Sequence, residues 1–124
     1  MATGKTTWTI PEGYIPEGSN GPEPEMLSHE SVCIQNTADE DASVEITVYF
    51  TDRGPVGPYE KTVPAERTKH LRFNEFEDPK EIPKGTPFAS VIESDVPIVC
   101  QHTRLDSRQA ENALLSTVAY PSDS

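Results

Sequence analysis

Apolar and polar residues alternate along this chain with period two, in short runs. From Ser43 to Thr51, Val44, Ile46, Val48 and Phe50 fall on one side and Glu45, Thr47 and Tyr49 on the other, as in a strand with one buried face. Arg67 to Asn74 alternates with mixed faces: Thr68, His70, Arg72 and Asn74 form a polar side, opposite Arg67, Lys69, Leu71 and Phe73. Thr6–Ile10, Ser31–Gln35, Tyr59–Val63, Phe88–Glu93, Pro97–Arg104 and Ala113–Tyr120 bring the predicted strands to eight. Turn residues separate them at Asp39–Asp41, Asp52–Pro58 and Pro83–Pro87. The 12 prolines break nearly every interval that could become a long helix. Sixteen Val and Ile against five Leu add the β-branched excess that a pleated surface favours. Eight short strands at this spacing predict an all-β, antiparallel sandwich or barrel in one domain spanning residues 1–124. Residues 1–28 are partly loop or arm, rich in Pro and Gly after Pro11, and 121–124 form a flexible tail. Asp106–Ser116 could be a helix with Asp106 as N-cap and Gln109 at N3. Because Leu114, Thr117 and Val118 run on into a β-rich end, a turn followed by a strand is expected there.

Composition narrows the picture. Val, Ile, Leu and Phe number 25 of 124 residues, a lean core, while 21 acids against 10 bases give a net charge of -11. The acid is concentrated: residues 1–60 hold 11 Asp and Glu and only two bases, Lys5 and Arg53. A small, charged chain gains by burying more apolar area against copies of itself, so an oligomer is expected. No apolar run approaches the roughly 18 residues of a membrane span and the first residues lack a signal-peptide pattern, which predicts a soluble, cytoplasmic protein with no direct membrane insertion. Cys33 and Cys100 sit in the apolar stretches SVCIQ and PIVCQ and are expected to be reduced and buried. The acid excess makes nucleic acid an unlikely partner, with Arg67, Lys69 and Arg72 as the sole local basic face.

Candidate chemistry is sparse. His29, His70 and His102, with Cys33 and Glu30, lack the H-x-H or C-x-x-C pairs that nucleate a metal centre, so no metal or cofactor is expected. There is no G-x-S-x-G elbow, and no nucleophile, base and orienting group can be named together, so no enzymatic activity is expected. Two polar constellations remain. One places Arg67, His70, Arg72 and Asn74 on or beside a single strand; the other sets His102, Arg104, Asp106 and Arg108 after an apolar strand. With His29, Glu30 and Tyr59 they supply the guanidinium forks, amides, carboxylates and aromatic face that a sugar or small metabolite requires. They equally suit Arg–carboxylate pairing within or between subunits.

The stretches Glu12-Gly-Tyr14, Gly21-Pro-Glu-Pro24, Ser28-His-Glu30, Val56-Gly-Pro-Tyr59, Val63-Pro-Ala65 and Arg67-Thr-Lys-His70, and the run Phe88 to Tyr120 with PIVCQHTRLDSRQAENALLSTVAY, resemble the soluble sensory rhodopsin transducer family over nearly the whole chain. The resemblance implies a jelly-roll β-sandwich assembled as a homotetramer. It implies an adaptor that docks on the cytoplasmic side of a microbial sensory rhodopsin, a membrane receptor, and relays its light-driven state. By the same resemblance some members work without a rhodopsin, and the sandwich is similar to carbohydrate-binding modules, which keeps a soluble sugar or metabolite sensor as the alternative.

Overall fold

A computed structural model describes residues 3–109 and 111–122 of the chain. Its strands are β1 (Lys5–Gly13), β2 (His29–Asn36), β3 (Ala42–Phe50), β4 (Val56–Val63), β5 (Arg67–Arg72), β6 (Phe88–Asp106), β7 (Ala113–Val118) and β8 (Tyr120–Ser122). All pairings are antiparallel. One sheet has the order β4-β3-β6-β1-β8, and β2, β5 and β7 pair around the far half of β6 as β5-β2-β6-β7. The result is the expected β-sandwich of jelly-roll type. Trp8, Ile34, Ile46, Val48, Ile92 and Ile98 are among the residues buried between the two layers.

The two strands predicted at Phe88–Glu93 and Pro97–Arg104 are one 19-residue strand. Pro97 does not end it, because β6 changes partners there: pairing to β3 runs to Ser94, and pairing to β2 begins at Val99. No ladder bond is demanded of the missing N–H at the passage between sheets. Inward alternation continues through it, with Phe88, Ser90, Ile92, Val96, Ile98, Cys100 and His102 all buried. Gly4, at φ +110°, lets β1 start against this passage, since a Cβ there would lie 2.0 Å from the Ile98 carbonyl oxygen.

Two further expectations change. The strand predicted through Asn74 stops at Arg72, and Phe73–Glu75 form a 3-10 turn. That turn carries Phe73 into an aromatic cluster, with ring centroids 4.9 Å from Phe76 and 5.2 Å from Phe88. The flexible tail predicted at 121–124 is not free at its start, because Tyr120, Pro121 and Ser122 pair with Thr9, Trp8 and Thr7. The Ala119 N–H bonded to the Cys100 carbonyl at 3.1 Å pins the crossing from β7 to β8. Residues 123 and 124 lie outside the described residues. Asp106–Ser116 is a turn followed by β7 as expected, with residue 110 also outside the described residues.

Candidate functional site

Strand register decides which polar residues meet. Glu30 of β2 stands opposite Arg104 of β6, and Arg104 opposite Leu115 of β7. Cross-strand partners share a face, and for Glu30 this face is the interior, where it is 0% exposed. A carboxylate there is tolerable only if its lone pairs are filled. Its Oε2 accepts the Tyr14 backbone N–H at 2.6 Å and Arg104 Nε at 3.0 Å, and its Oε1 takes the buried His102 Nε2. Since a carboxylate accepts, Nε2 carries the proton, and in the neutral ring Nδ1 is left as a bare acceptor. Arg104 continues the network, donating through Nη2 to the Glu12 carboxylate and standing 5.9 Å from the Tyr14 ring centroid. Burial pulls the Arg104 pKa down, but the hydrogen bond to Glu12 and the charge of Glu30 overcome it, and the pKa lies above its ordinary value.

Around this cluster the other predicted residues divide. Asn74 accepts the Glu30 backbone N–H at 3.2 Å and donates to the Ser28 carbonyl at 3.0 Å. His29 Nδ1 lies 2.7 Å from the Leu27 carbonyl, and Arg72 donates to the Pro24 carbonyl at 3.0 Å. These three fasten the arm that precedes β2. Arg108 grips Asp106 with two bonds of 2.9 and 2.6 Å, holding that carboxyl below its usual range. Arg67 and His70 lie exposed along β5, away from the cluster, with Arg67 donating to the Glu66 carbonyl at 3.0 Å and His70 registered with Cys33. Tyr59 is not beside them. It points into the core from β4, its hydroxyl donates to the Lys80 carbonyl, and burial pushes its pKa up. It therefore offers no platform beneath a sugar.

Glu12 and Tyr14 join the site without having been singled out for it, though the Glu12-Gly-Tyr14 stretch carried part of the resemblance. Beside the cluster, where β7 stands off from β1 and β8, opens a cleft of about 360 Å³ lined by Ile10, Glu12, His102, Leu115, Thr117 and Tyr120, among others. Cys33 is half-buried and Cys100 buried, and burial raises both thiol pKa values, Cys100 to about 12. They are registered with Gln101 and Ile34 respectively, which puts them on opposite faces of their sheet. Among the described residues no group of three or more His, Cys, Asp and Glu is placed to hold a metal ion, and no helix is long and apolar enough to cross a membrane.

Comparison with known proteins agrees with this architecture. The family profile described as Anabaena sensory rhodopsin transducer matches residues 3–121. A solved structure of the Anabaena sensory rhodopsin transducer is 61% identical, covering 83% of this chain and 100% of its own, with a TM-score of 0.75. The crystal structure of Thermotoga maritima 1070 is 38% identical, covering 98% of this chain and 97% of its own, with a TM-score of 0.88. No curated protein matches the chain.

Proposed function

The chain belongs to the Anabaena sensory rhodopsin transducer family, and from that membership we propose that it is a non-enzymatic cytoplasmic adaptor that docks on the inner face of a sensory rhodopsin and relays its state. The observation that carries this reading is 61% identity to a named transducer along that protein's full length. Electrostatics supports it. Cytoplasmic loops of membrane receptors are rich in Lys and Arg, whereas the lipid surface beside them is anionic. A protein with 11 acids and two bases in its first 60 residues is drawn to the first and repelled by the second. Screening confines the effect to about 8 Å at physiological salt. Relay then requires different affinities for the dark and illuminated receptor.

The adaptor works as a homotetramer. Copies each carrying -11 repel one another, so assembly must draw on apolar area. Leu114 and Val118, 70% and 66% exposed on the outer row of β7, supply it. The test is titration calorimetry of the purified assembly against a sensory rhodopsin in nanodiscs, in the dark and under illumination, at low and high salt. The expected result is light-dependent binding that weakens with salt. Binding indifferent to salt removes the electrostatic account, and no binding in either light state removes the adaptor.

A further inference from the structure

The cleft under β7 has a lining with a chemistry of its own. We propose that it binds a small molecule with an apolar body and a single ammonium group. Its volume, about 360 Å³, lies within the span of small-molecule sites. Ile10, Leu115 and Ala119 give it apolar walls, so a polyhydroxylated ligand would leave most of its hydroxyls unpaired there, at a cost for each. The apolar walls select the body of the ligand.

The head group follows from His102. Glu30 holds Nε2–H from the buried side, which fixes the neutral ring as an acceptor at Nδ1, and His102 lines the cleft. No hydrogen bond among the described residues uses Nδ1. The charge count points the same way. The carboxylates of Glu12 and Glu30 share one permanent cation, the Arg104 guanidinium. The cleft lining includes Glu12 and no Lys or Arg, so it repels an anion and has only acceptors or hydroxyls to offer. A ligand ammonium supplies both a donor for Nδ1 and a second cation beside the two carboxylates, and charge-assisted bonds of this kind are the strong ones.

The experiment titrates hexylammonium, hexanol, hexanoate and glucose separately into the assembled full-length protein, by calorimetry and by nitrogen NMR of the histidine rings. Hexylammonium should bind saturably and move the His102 Nδ1 resonance, with affinity about tenfold or more above that of hexanol, while hexanoate should not bind. His102→Gln keeps an N–H for Glu30 but removes the ring acceptor, and should weaken hexylammonium about tenfold. Thr117→Trp, at an exposed position on the cleft wall opposite His102, fills the cleft while leaving every side chain of the Glu30 cluster in place in the sequence; it should abolish binding, and it carries the test if His102→Gln does not fold. Equal affinity for hexanol and hexylammonium, tighter binding of glucose, or no binding of any probe because a second copy covers the cleft would each overturn the proposal. Since no receptor is present, none of these outcomes bears on the adaptor.

Discussion

Strand β6 has two interiors. From Phe88 to Ile92 its inward side chains lie in an apolar layer with Phe73, Phe76, Tyr59 and Ile46, closed by tilted aromatic rings 4.9 to 5.2 Å apart. From His102 to Arg104, on the same strand, the inward side chains meet a fully buried carboxylate. The apolar half stabilises in proportion to area removed from water, about 25 cal/mol per Å², and tolerates imprecision. The polar half contributes little net stability even when complete, but breaking it is expensive. Its value lies in placement: Glu30 ties the arm at Tyr14, the outer edge at Glu12 through Arg104, and the imidazole facing the cleft into one geometry. The location of the unpaired buried atom is therefore instructive. Among the described residues, Ser90 Oγ, in the apolar half, is the fully buried side-chain polar atom without a partner, whereas both carboxylate oxygens of Glu30 are met.

The largest expected effect tests that asymmetry. Glu30→Ala strands His102 Nε2–H, the Tyr14 N–H and the Arg104 guanidinium at once, and should cost about 3–5 kcal/mol in urea unfolding. Replacing the partners together, as Glu30→Met with His102→Leu, should recover a large part of that loss. If the single change costs no more than an exposed substitution, the polar half is not a coupled unit and the contrast between the halves fails.

Alternation alone was enough to place most strands, because a half-buried strand writes its two faces directly into sequence. Ser43–Thr51 differs from β3 by one residue at each end. Pro97 misled because proline ordinarily ends a central strand, and only the change of neighbours at that point excuses it. β8 was missed because three residues are too few to show a period. The site was legible in its members and not in its assembly. Glu30 and His102 are 72 positions apart, and nothing local in either strand specifies their register. Tyr59 shows the converse. It shares parity with Val63, also buried, so its inward direction was present in the pattern, but its hydroxyl suggested a ligand platform.

Cys100 lies where the two halves of β6 join, and its titration sharpens the comparison from the high-pH side. Burial raises its pKa from 9.0 to about 12, so the unfolded chain gives up this proton first. The stability that the neutral thiol contributes is complete below pH about 9 and is lost as pH rises towards about 12. A tenfold change in acidity is worth about 1.4 kcal/mol, which makes the loss large enough to follow. Stability measured across that window should fall more steeply in the native chain than in Cys100→Ala, and parallel curves would show that the junction is wet. In the apolar half, Ser90→Ala removes an unpaired hydroxyl and should raise stability by about 1 kcal/mol. A loss instead would mean that Ser90 is paired in solution.

The smallest effect is expected at Asp106 and Arg108, which begin two residues beyond Arg104 on the same side of the molecule but in contact with water. Their geometry is better than that of many buried pairs, with two guanidinium nitrogens, Nε and Nη2, on one carboxylate at 2.9 and 2.6 Å. Solvent nevertheless competes for both partners, and exposed pairs of this kind add little or nothing measurable. The Arg108 hydrogen bond holds the Asp106 pKa below 3.8, so whatever the pair adds is present above that pH and fades as pH falls through the depressed value. Arg108→Ala should therefore shift the urea midpoint slightly at neutral pH and not at all in strong acid, while Glu30→Ala is severe at neutral pH. Similar losses from the two substitutions at neutral pH would mean that burial does not set the energetic difference between the polar half of β6 and its exposed neighbours.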